Sequence, residues 1–349
     1  MLAQKRYRST CHKTVPAAGA ENLLSGRMLG SPHATYRRRL LVIYNPTAGA
    51  GQLGRRKRAR LEAYLDLLED SGCAVEFRPT TKRGDAEAFA AEAVAEKYDA
   101  VVAAGGDGTI GEVANGLPAQ SAPLGIFPLG TANVLAMEIG LPLDPPAVMR
   151  TVLHGPQTTI WPGFVTDSEN KTGRLFTIMA GVGFDAHVVR DLPPQMKRWL
   201  GKASYVIESL RQLAAYNVPR YRISIDGKDY DCASAVVAKG HFYGGKFVCA
   251  PNARLDDPSF EVCLFRMGGR IGAARATVAL TLGLLHKLPE IELVRGRDVI
   301  ISGIDGEPVQ ADGDIVATLP AQVRVGSRAI PLILPKGSAL AADMIETAD

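Results

Sequence analysis

With 349 residues, 46% of them hydrophobic, the chain is long enough to bury a sizeable core and to form two domains. Lys and Arg number 40 against 36 Asp and Glu, a formal charge of +4, too weak a bias for a nucleic-acid-binding surface but compatible with an anionic membrane or a polyphosphate ligand. The five cysteines form no C-x-x-C pair and the six histidines no metal-type cluster, which points to reduced thiols in a cytoplasmic protein and argues against a zinc site.

Residues 1–36 are rich in Arg, Ser, Ala and Gly and lack periodicity. They are expected to be a disordered basic segment, or to reflect a start codon placed too early. No apolar region follows their basic residues, so they do not read as a signal peptide. A first apolar strand is predicted at 39–44. It runs into Asn45-Pro46-Thr47-Ala48-Gly49-Ala50-Gly51-Gln52-Leu53-Gly54, then a basic helix over 55–71 closed by Gly72. A second strand follows at 75–77 and an Ala/Glu-rich helix at 85–97. The third strand, 99–104, stops at Gly105-Gly106-Asp107-Gly108-Thr109 and passes at once into a helix-like segment ending in Glu112-Val113-Ala114-Asn115-Gly116. A strand at 124–128 and helices at 132–139 and 145–153 complete the alternation. Strands alternating with helices predict a parallel sheet in a three-layer α/β domain, with ligands at the carboxyl ends of the strands.

From about 158 the texture changes to short β-like runs at 175–179, 221–225, 233–238, 260–265, 291–293, 299–301, 309–311, 321–325 and 330–334. Turn signals such as Asp226-Gly227, Gly244-Gly245 and Asp312-Gly313 separate them. This predicts an antiparallel β-sandwich or barrel. The expected division is an α/β domain over 37–155, with a strand around 328–340 as a candidate to return to it, and a sandwich over 156–327. No apolar run is long enough to span a bilayer. The nearest, 271–288, contains Arg275 and His286 and reads as a packed helix.

Glycine at 105, 106 and 108 lets backbone N–H groups approach an anion closely, and the helix behind them adds a favourable dipole. Asp107 is then an acid held where phosphates sit, suited to Mg²⁺ coordination or proton abstraction rather than packing. Pro128-Leu129-Gly130-Thr131-Ala132-Asn133 is a similar turn in which Thr131 can cap the next helix and offer a hydroxyl to phosphate. Gly49-Ala50-Gly51-Gln52-Leu53-Gly54 spells G-x-G-x-x-G, but Glu69, Asp70 and Glu76 are poorly placed as the supporting acid, so a phosphate-cradling turn is expected and NAD is not. Most of the following Arg55, Arg56, Lys57 and Arg58 read as a solvated helix face. Gly181-Val182-Gly183-Phe184-Asp185-Ala186 has no suitable helix predicted behind it and is discounted for cofactor binding, with Asp185 either functional or a helix cap. Asp305-Gly306-Glu307 and Asp312-Gly313-Asp314 each fit a hairpin turn, and at least one is expected to aim a carboxylate at the cleft between domains.

Together these motifs, with Tyr243-Gly244-Gly245, Ala250-Pro251, Asp256-Asp257 and Pro308-Val309-Gln310-Ala311-Asp312-Gly313-Asp314, resemble the diacylglycerol kinase catalytic family, the soluble lipid kinases that include sphingosine and ceramide kinases. The ordered set spans about residues 40–335. The resemblance implies ATP- and Mg²⁺-dependent phosphorylation of a lipid hydroxyl, of diacylglycerol, ceramide or sphingoid type, at a membrane surface by a cytoplasmic, peripherally associated enzyme. It leaves a homodimer open and implies no nucleic acid partner. It implies ATP contacts at Asn45, Pro46, Thr47, Ala48, Gly49, Thr80 or Thr81, Gly105, Gly106, Gly108, Thr109, Gly130, Thr131 and Asn133, with Glu112 behind the glycine turn. It also implies a structural Mg²⁺ bound with Asp257, and Asp107 and Asp314 as the catalytic acids. The chain departs from the family pattern at three places: Asp314 stands where Glu is common, Val134 where many members carry a second acid, and Trp161 roughly where some carry another. A NAD kinase-like small-molecule kinase, an oxidoreductase and a catalytically weak lipid-binding module remain as alternative readings.

Overall fold

The computed structural model describes residues 38–46, 54–93, 95–119, 121–167, 171, 173–191, 220–266 and 269–340. In chain order the first half contains β1 (Arg39–Tyr44), α1 (Gly54–Asp70), β2 (Ala74–Pro79), α2 (Asp85–Glu92), β3 (Ala100–Gly105), α3 (Asp107–Gly116), β4 (Leu124–Pro128), α4 (Val134–Glu138), α5 (Pro145–His154) and β5 (Gln157–Ile160). There follow β6 (Gly163–Asp167), β7 (Arg174–Phe176), β8 (Met179–Val182), α6 (Phe184–Asp191), β9 (Tyr221–Ile225), β10 (Lys228–Cys232), β11 (Ser234–Ala238), β12 (Phe242–Tyr243) and β13 (Phe247–Val248). The last elements are β14 (Phe260–Phe265), α7 (Gly269–Thr281), β15 (Ile291–Gly296), β16 (Asp298–Ser302), β17 (Pro308–Ala311), β18 (Asp314–Thr318), β19 (Ala321–Val325) and β20 (Ile330–Ile333).

The first sheet has the order β2-β1-β3-β4-β20-β5 and is parallel except at β5. β3, Ala-Val-Val-Ala-Ala-Gly, is buried at every residue, as a central parallel strand covered on both faces must be. α1 packs beside α5, and α2 beside α3, giving one helical layer on each side. α1 turns Tyr64 and Leu68 inward, and the Tyr64 ring stacks on Phe127 of β4 with centroids 4.3 Å apart. The chain steps from β1 out to β2 and then back across to β3. Strand order therefore reverses between β1 and β3, the position where open α/β sheets form a ligand crevice at their carboxyl ends.

Two antiparallel sheets, β10-β9-β16-β19-β6-β7 and β15-β14-β11-β8-β17-β18, form the sandwich. Their inner faces share a core that includes Phe176, Tyr221, Ile223, Phe260, Val262, Val299 and Val323. The chain leaves the first sheet after β5 and returns to it only at β20.

Several sequence expectations are corrected. The helix predicted at 85–97 ends at Glu92. The strand predicted at 175–179 is two strands, β7 and β8. Between them the N–H groups of Thr177, Ile178 and Met179 turn to the Asp312 carboxylate instead of a neighbouring strand. A helix, α6, does follow Gly183, which takes φ +87° to make the turn into it. The segment 1–36, Thr47, Ala48, Gly49, most of the G-x-G-x-x-G turn and the side chain of Asp185 lie outside the described residues.

Candidate active site

The register of the first sheet brings four strand ends into a row. Tyr44 of β1 pairs with Pro79 of β2 and Ala104 of β3, and Gly105 pairs with Pro128 of β4. The next residues, Thr80, Asn45, Gly106 and Leu129, therefore line one edge. Thr80 N–H donates to Tyr44 O (2.9 Å) and Asn45 N–H to Ala104 O (3.2 Å), which ties the row together. Asn45 and Gly105 flank the point where strand order reverses.

The two glycine turns are pressed against each other. Leu129 and Gly130 N–H both donate to Gly105 O, at 2.9 and 3.1 Å. A Cβ on Gly130 would stand 2.5 Å from Gly106 Cα and 2.4 Å from Asn133 Oδ1, and one on Gly105 would stand 2.4 Å from Thr109 Oγ1. These glycines are required by close backbone approach and by the Thr109 side chain tucked beneath the turn. Gly108 differs: a Cβ there would meet nothing within 4 Å, so open space faces the first turn of α3.

Asp107 opens α3, yet its carboxylate serves α4. It accepts from Asn133 N–H (2.9 Å) and Val134 N–H (2.6 Å), capping that short helix while Asn133 holds the left-handed φ of +50°. The expectation that Asp107 has no packing role is thus corrected. Burial, followed by the nearby Asp312 charge, pushes its carboxyl above the usual range despite the lowering effect of the N–H bonds. Asn133 is buried, and its Oδ1 has no hydrogen-bond partner among the described residues.

Asp312 approaches from the sandwich. With Gly313 it makes a two-residue turn between β17 and β18, at φ +47° and +86°. Its Oδ2 accepts from Thr177 N–H (2.7 Å) and Oγ1 (3.0 Å), and its Oδ1 from Ile178 (3.0 Å) and Met179 N–H (3.1 Å). All four lone-pair positions are filled, so Asp312 holds structure. Asp314 is instead 44% exposed and pairs with Arg83 Nη2 at 3.2 Å. The competing Asp305-Gly306-Glu307 motif is absorbed in the sandwich: Glu307 shares a 2.6 Å hydrogen bond with His187 Nε2 and accepts one from Tyr221 Oη at 3.3 Å.

The basic helix supplies two residues that its sequence did not single out. Lys57 Nζ donates to Thr131 Oγ1 (3.2 Å) and Arg60 Nη1 to Pro128 O (3.2 Å), so both cations reach over the second glycine turn. Burial and the Arg60 charge push the Lys57 amine down. Their spacing of three along a helix was the available signal, since it puts both on one face. Glu112 is half-buried on α3, and its carboxylate forms no hydrogen bond or ion pair among the described residues.

Comparison with known proteins fits this geometry. The diacylglycerol kinase catalytic domain family matches residues 39–165, and the YegS C-terminal NAD kinase beta sandwich-like domain matches 178–334. A relative from Pseudomonas putida named "Probable lipid kinase YegS-like" is 32% identical, over 78% of this chain and 90% of its own length. The chain belongs to the diacylglycerol kinase catalytic family. The diacylglycerol kinase of Bacillus subtilis is 29% identical over 86% of this chain and 98% of its own, and that of Mycobacterium tuberculosis 30% over 82% and 99%. A crystal structure of a diacylglycerol kinase from Bacillus anthracis str. Sterne covers 87% of this chain and 99% of its own at TM-score 0.65 and 21% identity, which bears out the fold.

As a member of this lipid kinase family the chain is a phosphotransferase with an alcohol group as acceptor. No helix among the described residues is long and apolar enough to cross a membrane. The structure gathers Asn45, Thr80, Gly105, Gly106, Asp107, Gly108, Thr109, Gly130, Thr131 and Asn133 on one edge, and Arg83 draws Asp314 towards it. Asp257 is separate, beside β14, where its carboxylate pairs with Arg295.

Proposed function

We propose that this family member transfers the γ-phosphoryl group of ATP to a lipid hydroxyl, with Asp107 as the proton acceptor. The observation that carries the reading is the row of four strand ends at the reversal point, with two interlocked glycine turns, two overhanging cations and a buried carboxylate. The N–H groups of Gly108 and Thr109 belong to the first turn of α3, which lacks intrahelical acceptors for them, and beside the open space at Gly108 they would hold phosphate oxygens. Lys57 and Arg60 would balance the phosphate charge, as positioning and charge stabilisation require in phosphoryl transfer. Asp107 keeps acceptor capacity that Asp312 has used up, and burial raises its proton affinity above that of an ordinary carboxylate, as a proton acceptor requires.

Mg²⁺ takes oxygen donors, and Asp107 with Asn133, whose buried Oδ1 has no hydrogen-bond partner among the described residues, would offer them. Bound with the nucleotide, the ion would neutralise phosphate charge. Diacylglycerol is the acceptor to which the relatives' names point. It would be met at a bilayer surface, and Val278, Leu282 and Leu284, 58%, 66% and 42% exposed around the end of α7, offer an apolar contact for that surface.

Labelled ATP offered with diacylglycerol, ceramide, sphingosine and undecaprenol in mixed micelles, and with NAD, tests the reading. Label is expected in a lipid, dependent on Mg²⁺ and lost in Asp107→Asn. Label in NAD alone, or in no acceptor, would overturn it.

A further inference from the structure

The loop that carries Asp257 already holds a cation, and it belongs to the chain itself. Lys239, immediately after β11, is 0% exposed. Its Nζ donates to Arg254 O (2.9 Å), to Ser259 O (2.9 Å) and to Asp257 O. Those three carbonyls, all from one loop, use all three ammonium hydrogens. The Asp257 carboxylate is turned to Arg295, whose Nε also donates to Ser259 Oγ at 2.8 Å. Converging carbonyls beside a carboxylate are the donor set that a hard divalent ion takes, at ~2.0–2.6 Å. Here the two separations of 2.9 Å are those of an N–H···O bond, and the centre is filled by nitrogen. A metal ion cannot share that volume with an ammonium group.

We propose that Lys239 is a tethered substitute for a structural divalent cation, its ammonium pinning residues 254–259 in place so that the sandwich needs no metal there. Lys239 also joins this loop to the turn that Asp312 anchors. Lys239 N–H donates to Ile178 O (2.7 Å), and Ile178 N–H donates to Asp312. The carbonyl cage is then a latent cation site that opens when the amine is removed.

The test uses the full chain without nucleotide, dialysed against chelator, with metal content measured and melting temperature followed as millimolar Mg²⁺ or Ca²⁺ is added. Wild type is expected to hold no stoichiometric divalent ion through Asp257 and to shift by less than ~1 °C with either ion. Lys239→Gly should melt several degrees lower in chelator, because three carbonyls, of which that of Ser259 is buried, lose their donor, and should recover much of that loss with one of the ions. Lys239→Met, whose side chain keeps the volume filled, should stay low in both conditions. Lys239→Gly combined with Asp257→Asn should not recover. About one chelator-sensitive ion per wild-type chain that disappears in Asp257→Asn would overturn the proposal, as would a folded Lys239→Gly protein indifferent to both ions. If Lys239→Gly does not fold, the wild-type metal content and melting response decide alone: no ion and no response support the proposal, and an Asp257-dependent ion overturns it.

Discussion

Asp107 of the α/β domain lies close enough to Asp312 of the sandwich for the Asp312 charge to raise its pKa, and each carboxylate anchors a backbone turn. The two acids have different remaining capacity. Asp312 spends every lone pair on residues 177–179, while Asp107 caps α4 and still has acceptor capacity left. The like charge across the boundary makes the proton affinity of Asp107 a property of both domains together.

Asp107→Asn is expected to reduce phosphoryl transfer by ~10³-fold, the range over which a general base acts. An amide keeps only one acceptor oxygen, so part of the α4 cap is lost, with a fall of about 2–4 °C in melting temperature. Asp314→Asn breaks only an exposed pair and should change stability by less than ~1 kcal/mol. Transfer rates of the two variants, with thermal melts alongside, separate the roles. A larger loss in Asp314→Asn than in Asp107→Asn would move the base to Asp314.

Gly108→Ala distinguishes packing from ligand contact. Beyond its chain neighbours and its own helix backbone, no atom lies within 4 Å of the added Cβ, and Ala is the better helix former by about 1 kcal/mol. The variant should therefore melt no lower than wild type while binding nucleotide at least ~10-fold more weakly, as one lost charge-assisted contact predicts. Calorimetric titration with ATP and a thermal melt of the apo protein suffice. Unchanged affinity would place the phosphates elsewhere.

Lys57→Met and Arg60→Met each remove a cation from above the Pro128–Thr131 turn. Each is expected to raise KM for ATP by ~10–100-fold, the value of a hydrogen bond to a charged group, with a smaller effect on KM for the lipid. The salt dependence of ATP binding should flatten in both. Initial rates over a grid of ATP, lipid and salt concentrations check this.

His241 joins the sandwich to α4. Its ring pairs with Glu138, whose side chain is 3% exposed, and Glu138 Oε2 also accepts from His241 N–H at 2.9 Å. The bond to Glu138 raises the His241 pKa, with a further upward pull from Glu261, against burial and Arg254. A histidine whose folded pKa is raised stabilises fully below its unfolded pKa of ~6.5 and loses that contribution as pH rises through the folded value. His241→Gln should therefore lower the melting temperature by about 1–3 °C at pH 5.5, a figure discounted because the His241 side chain is 41% exposed. The gap should close by alkaline pH. A gap that widens with pH would contradict the ion pair.

Much of this was readable from residues alone. The predicted bounds of β1 and β4 match the observed strands because each apolar run gives way to a turn signal, Asn45-Pro46 after β1 and Gly130 soon after β4. The glycine turns were legible for the same reason. Asp107 as a cap was not, because its partners lie 26 and 27 residues away and only folding makes them neighbours. The break between β7 and β8 depends on Asp312, more than 130 residues distant. Lys57 is marked only by its spacing of three from Arg60 within a run of similar cations, and Lys239 carries no local mark, since only the loop at 254–259 explains its burial.

The return of β20 to lie between β4 and β5 has a consequence for synthesis on the ribosome. Until Ile330–Ile333 has emerged, the outer edge of Leu124–Pro128 has no partner, and it is a wholly buried apolar strand in the finished protein. Such an edge invites pairing with other chains. The half of the protein made first is therefore the half completed last. A premature stop anywhere in the sandwich would leave that half an aggregation hazard rather than a smaller working enzyme.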